Sequence, residues 1–193
     1  MRNTKIRALC ECAIMVALAF VLSYVRLFKM PLGGSVTLAS MLPIMLIAIK
    51  YGPKIGLGTA LVYSLTQLLQ AYTEGDVFPY CETAPTLLIC MLFDYIFPFT
   101  VLGLAGVFKI VKLFKKRVVG AYVGMVAVVI VRFFSHFITG VAIWGQWAPE
   151  GVGKYLYSFG YNASFLAVDL AICLVCAVPM LCSRAVRRLI DVE

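Results

Sequence analysis

VGAYVGMVAVVIVRFFSHFITGVAIW, residues 119–144, decides the fold. A helix of this length rises far enough to cross a ~30 Å hydrocarbon layer, for which about 20 apolar residues suffice. Arg132 and His136 interrupt the apolar run well inside both ends. Such side chains are costly in hydrocarbon, so a segment that keeps them marks a functional site by default.

Working outward, five more segments read the same way, at about 8–28, 37–50, 54–72, 85–109 and 158–182. Hydrophobic residues make up 63% of the 193 and charged residues 13%, with mean hydropathy +0.98. A soluble domain carries about a quarter charged residues, so the chain reads as an all-α membrane protein. It has six transmembrane helices in a single integral membrane domain, residues 1–193. The first stretch is ~20 residues long and leads at once into more of the same, which makes it a span rather than a cleaved signal. The second is short and flanked by glycine and proline, so it is expected to be tilted or partly broken. Pro43 and Pro98 fall inside the second and fourth spans, where neighbouring helices can satisfy the freed carbonyls. So little loop remains that no soluble catalytic domain is attached.

The net charge of +8 has its cause in topology and calls for no nucleic acid. Arg2, Lys5, Arg7, Lys50, Lys54, Lys109, Lys112, Lys115, Lys116, Arg117, Arg184, Arg187 and Arg188 all fall on one side of a six-span arrangement. The other side has Arg26, Lys29 and Lys154, with the acids Glu74, Asp76, Glu82 and Glu150. By the positive-inside rule both termini are cytoplasmic. Of the seven cysteines only Cys81 lies clearly in a loop, and Cys10-x-Cys12 and Cys173-x-x-Cys176 lack the spacing and histidines of a zinc site. No metal or cofactor is expected. No internal repeat is visible, and no phosphate-binding loop of the G-x-x-x-x-G-K-[ST] type, so the chain cannot drive transport with ATP by itself.

Counted along ideal helices from the outer ends, Asp94 lies ~14 Å deep, His136 ~12 Å and Asn162 ~6 Å. Trp144, Trp147, Tyr155 and Tyr157 stand at or just beyond the outer rim. The pattern implies an outward-facing ligand pocket with a carboxylate and an imidazole near its floor and aromatic rings at its mouth. Rim aromatics also form ordinary interfacial belts, and a lone membrane histidine often only bonds a neighbouring helix. Asp94 is harder to explain that way, because an unpaired carboxylate at such depth costs about 2.5–3.5 kcal/mol. An acid among aromatic rings suits a cationic, ring-containing ligand.

The stretches Met30-Pro-Leu-Gly-Gly-Ser-Val-Thr, Phe93-Asp-Tyr-Ile, Arg132-Phe-Phe-Ser-His-Phe-Ile-Thr-Gly, Trp144-Gly-Gln-Trp-Ala-Pro-Glu-Gly and Tyr157-Ser-Phe-Gly-Tyr-Asn carry a resemblance. From about residue 8 to 180 the chain resembles the thiamine-specific substrate-binding subunits of energy-coupling factor transporters. The resemblance implies a thiamine-binding subunit of the bacterial cell membrane, not an enzyme. Its partners would be a membrane coupling protein and two ATPase subunits. It assigns substrate contacts to Asp94, Tyr95, Arg132, His136, Trp144, Tyr157 and Asn162, with Trp144 stacking on the ligand. Some family members have glutamate where Asp94 stands, and some carry a tryptophan where this chain has Gly33-Gly34-Ser35. The family's small-x-x-x-small docking motif corresponds to Ala13 and Ala17, since small residues four apart let helices approach closely.

Three other readings stand beside this one. The chain could capture another vitamin or a thiamine precursor. It could be a stand-alone proton-coupled transporter of organic cations using Asp94 and Asp169. An intramembrane enzyme would need His136 with Asp94 or Ser135, but no H-E-x-x-H and no second histidine exist. Asp169 lies outside the family pattern. Its helix depth, ~17 Å, equals that of Arg132, so the two are expected to form an intramembrane ion pair unless Asp169 meets another polar group.

Overall fold

The structure, a computed structural model, describes residues 2–75, 77–111, 114 and 116–189. Asp76, Lys112 and Lys115, part of the charge bias above, lie outside the described residues, as do the side chains of Arg2 and Lys109. Six principal helices are α1 (Arg2–Tyr24), α2 (Leu42–Tyr51), α3 (Pro53–Glu74), α4 (Ala84–Leu104), α5 (Arg117–Ala142) and α6 (Lys154–Cys182). Four described helices are long and apolar enough to cross a membrane: Thr4–Tyr24 of α1, then α4, α5 and α6. The 22 residues of α3 have the length, but Thr59, Ser64, Thr66, Gln67 and Gln70 dilute its apolar character.

The expectation for the second span, 37–50, needs correcting. α2 has 10 residues, ~15 Å of rise, half the thickness of the hydrocarbon layer. Residues 35–37 are a β-strand and a turn at Ala39, with φ 56°, leads into the helix. Residues 36–37 and 39–49 are buried, so except at Leu38 the strand, turn and helix are enclosed by protein. The first span is corrected too: α1 stops at Tyr24 instead of running to 28, and Arg26–Lys29 (β1) pairs antiparallel with Ser35–Thr37 (β2). The all-α expectation therefore misses a hairpin. Its tip turns through Leu32, at φ 62°, and Gly33, at φ 95°, with Met30 N–H donating to Gly34 O at 2.7 Å.

Span four was expected to run unbroken over 85–109. It ends at Leu104, a separate turn of helix covers Val107–Ile110, and Met91–Ile96 winds as a π-helix. Pro98 supplies the reason. It has no N–H, Phe97 N–H reaches back to Leu92 O, and the Phe93 carbonyl takes its proton from Ser135 Oγ at 2.5 Å. The wider turn brings two consecutive side chains, Asp94 and Tyr95, to the same cavity.

Close approach sets the rest. A Cβ on Gly103 of α4 would lie 2.5 Å from the Gly56 backbone of α3, so these helices meet backbone to backbone. Met41, Ile44, Met45, Phe99, Met125, Leu166 and Cys173 build one core around α2. At the end of the bundle opposite the hairpin, Glu11 of α1 accepts from Arg7 Nε at 2.9 Å, Tyr51 OH at 2.7 Å and Lys50, which fixes α1 to the end of α2.

Candidate ligand-binding site

A cavity of about 130 Å³ opens at the hairpin end of the bundle. All seven substrate-contact candidates line it: Asp94, Tyr95, Arg132, His136, Trp144, Tyr157 and Asn162. The π turn of α4, the second half of α5, the short 3-10 turn Trp144–Trp147 that follows it and the first half of α6 present them, and hairpin residues Leu32 to Ser35 complete the wall.

Asp94 is buried and its carboxylate is fully engaged. Thr139 Oγ1 donates to Oδ1, His136 Nδ1 stands 3.0 Å from the same oxygen, and Trp144 Nε1 donates to Oδ2 at 3.0 Å. Arg132 Nε, which can only donate, bonds His136 Nε2 at 3.3 Å. Nε2 must then accept, so the imidazole carries its proton on Nδ1 and gives it to Asp94. The guanidinium also lies 4.1 Å over the Phe99 ring and 2.8 Å from Met41 Sδ. Arg132 thus fixes the tautomer of His136, and His136 and Trp144 hold the carboxylate from two sides.

The contact between α5 and α6 sets the spacing of the other wall. A Cβ on Gly140 would fall 2.1 Å from Ser158 Oγ, so glycine is required where Ser158 donates to Phe137 O at 2.9 Å. At that level Asn162 Nδ2 donates to Ser158 O at 2.9 Å and His136 O at 3.3 Å, which leaves its Oδ1 toward the cavity. Tyr161 closes the site toward the hairpin: its hydroxyl accepts from Gly34 N–H at 2.9 Å and donates to Pro31 O. A side chain on Gly34 would collide with that hydroxyl at 2.6 Å, so the tip is held by backbone contacts.

Two rim aromatics are not part of the cavity wall. Tyr155 is 63% exposed, and Trp147 packs on Tyr80 and Trp144 with centroids 5.8 Å and 5.6 Å apart. Cys81 is half-buried against the Val77–Trp144 cluster, and that burial pushes its thiol pKa up.

The expected Arg132–Asp169 ion pair does not form. Asp169 Oδ1 accepts from Thr37 N at 3.1 Å and Thr37 Oγ1 at 2.9 Å, so it satisfies the end of β2 that leads into α2 and stands behind the cavity wall. Residues 37–41 take both groups, Thr37 engaging Asp169 and Met41 engaging Arg132.

Sequence reasoning missed a second polar group at the mouth. Ser23 Oγ donates to Gln70 Oε1 at 2.7 Å, Gln67 Nε2 donates to Ser23 Oγ at 3.2 Å, and Gln70 Nε2 donates to Glu74 Oε1 at 3.0 Å. Arg26 of β1 pairs with Glu74 at the end of α3. The signal was available as Gln67, Gln70 and Glu74, three and four residues apart on one face of an apolar helix. Among the described residues no group of three or more His, Cys, Asp or Glu side chains is placed to hold a metal. Ala13 and Ala17 are exposed on the outer face of α1.

Comparison with known proteins identifies the family. Residues 9–189 match the family model described as "Thiamine transporter protein (Thia_YuaJ)". The chain is 32% identical over 176 residues to "Thiamine transporter ThiT" of Bacillus subtilis strain 168, covering 86% of each. It is 32% identical over 80 residues to the protein of that name from Lacticaseibacillus paracasei, covering 37% of this chain and 39% of that one. A solved structure of ThiT from Listeria monocytogenes superposes with a TM-score of 0.72 at 25% identity, covering 95% of this chain and 97% of that one. The chain therefore belongs to the thiamine transporter protein family, a family of membrane transporters.

Proposed function

We propose that this protein is the thiamine-binding subunit of an energy-coupling factor importer in the bacterial cell membrane. The observation that carries the reading is the convergence of Asp94, His136, Trp144, Tyr157 and Asn162 on one cavity in a chain of this family. Thiamine joins a cationic thiazolium ring, an aminopyrimidine ring and a hydroxyethyl arm. Asp94 supplies the negative charge, and its hydrogen bonds to protein donors hold it in place. The Trp144 indole, tethered to Asp94 by its N–H, offers a ring face for stacking and cation–π attraction. Asn162 Oδ1 accepts from the pyrimidine amine, and Tyr95 and Tyr157 flank the rings.

In this reading the chain crosses the membrane six times, with α2 and its extended lead forming one passage. Both termini are cytoplasmic and the cavity opens outward. The basic residues clustered at one end of the helices support that orientation. A coupling protein docks against Ala13 and Ala17, and its two associated ATPases supply the energy that this chain has no nucleotide loop to harvest. Titration calorimetry on the detergent-purified protein tests the assignment. One thiamine per chain, with no heat from riboflavin or biotin, is expected. Absence of thiamine binding, or another small molecule co-purifying in its place, overturns it.

A further inference from the structure

The change of winding in α4 falls at the ligand cavity. Buried anchors flank it: Cys90 packs in the cluster with Trp144, and Phe99 and Leu102 pack in the main core. Between them lies the π turn, in which Phe97 N–H bonds Leu92 O, five residues back. That bond takes from the Phe93 carbonyl its ordinary α-helical donor, the N–H four residues ahead. The next donor in π winding would be residue 98, a proline, which has no N–H. Ser135 Oγ of α5 supplies the missing proton at 2.5 Å. One turn further along α5, Thr139 Oγ1 donates to the Asp94 carboxylate. Ser135 is buried and is not among the cavity-lining residues.

We propose that Ser135 is a positioning residue for the ligand site: its hydroxyl holds α4 in the π winding that brings Asp94 and Tyr95 to the cavity. For the identity of the ligand the inference rests on the thiamine reading. A carbonyl at membrane depth that loses its donor has no water to replace it. Without the Ser135 hydroxyl, Phe93 O regains a partner only if Phe97 N–H returns to it, which is the α winding. The Pro98 ring opposes that winding through its clash with the Asp94 carbonyl. Neither winding is therefore satisfied by α4 alone, and the bond from α5 selects one. Passing from π to α turns one flank of the helix against the other by on the order of 100°, one residue's rotation. Because Cys90 and Phe99 are fixed by packing, the residues between them absorb the turn. Asp94 then swings away from Trp144 Nε1 and His136 Nδ1.

The test uses purified protein carrying Ser135→Ala or Ser135→Thr in a Trp147→Phe background, where Trp144 is the only indole. Calorimetry reads the affinity for thiamine. In the ligand-free protein, the ¹⁵N–¹H resonance of the Trp144 indole reads its bond to Asp94. Ser135→Ala should weaken thiamine binding by about tenfold and move the indole proton upfield, the direction of a lost hydrogen bond. Ser135→Thr keeps the hydroxyl and should stay within about threefold of the parent affinity, with the parent resonance. A purely structural bond would lower the melting temperature of Ser135→Ala and leave both signals of the folded protein unchanged, which overturns the proposal. A threonine variant as impaired as the alanine variant overturns it as well. If Ser135→Ala does not fold, Ser135→Cys, whose thiol is a weak donor, is judged by the same two signals. Parent protein that binds no thiamine overturns the thiamine reading, whereas the indole signal, measured without ligand, still decides the role of Ser135.

Discussion

Replacing Asp94 with asparagine is the sharpest perturbation of the cavity's buried carboxylate. The carboxylate oxygens take Thr139, His136 and Trp144 as donors, and each side of the group faces a donor only. An amide has one acceptor oxygen, so its NH₂ must confront either Trp144 Nε1–H or the Thr139–His136 pair. A buried donor left without an acceptor costs about 1–3 kcal/mol. The ligand cation also loses its charged partner, and a charge-assisted contact exceeds a neutral one by roughly 1–1.5 kcal/mol. Loss of the charge alone predicts weaker thiamine binding by about 1–1.5 kcal/mol, or roughly 5- to 12-fold. The orphaned donor appears separately as a lower melting temperature of the ligand-free protein. Calorimetry and thermal unfolding measure the two effects independently. Asp94→Glu keeps the charge and should bind better than Asp94→Asn. An unchanged dissociation constant in Asp94→Asn would refute the role of the carboxylate, whatever happened to stability.

Three further outcomes follow from the same geometry. Thiamine should quench intrinsic fluorescence, and Trp144→Phe should retain part of the binding while losing most of the quench; a full quench in that variant would exclude Trp144 as the stacking ring. Thr37→Val should destabilise the ligand-free protein by about 1–3 kcal/mol in thermal or denaturant unfolding, because buried Asp169 keeps only one of its two donors. Ala13→Trp and Ala17→Trp should leave thiamine binding by the purified protein intact and abolish uptake in cells carrying the whole importer; normal uptake by both would refute the docking face.

Much of this was legible in the residues. The long apolar segments identified the helices, and the motifs around Asp94, His136, Trp144 and Asn162 named groups that meet in space. The second span read as short and tilted or partly broken, but its strand and turn escaped because hydropathy does not distinguish a buried strand and turn from a helix over a short run. Met30-Pro-Leu-Gly-Gly between apolar stretches was a hairpin signal, yet Val25, Leu27 and Phe28 read as a continuation of α1. The Arg132–Asp169 pairing failed for a different reason. Equal depth on adjacent helices says nothing about helix rotation, nor about a third segment arriving between them. Residues 37–41 do arrive there and divide the two charges. The interrupted winding of α4 could be suspected from Pro98, but its dependence on Ser135 joins residues 42 positions apart, beyond any local pattern.

The brevity of α2 bears on how the molecule is made. Ten residues are too few to leave the translocation channel as an independent hydrophobic unit. The strand and turn before them expose backbone amides that lipid cannot solvate. In the proposed topology the burial of this passage needs the protein-lined slot that α1, α3 and the later helices build around it. Asp169 waits on α6 at the far end of the sequence, so the second passage cannot be sealed until nearly the whole chain has been synthesised.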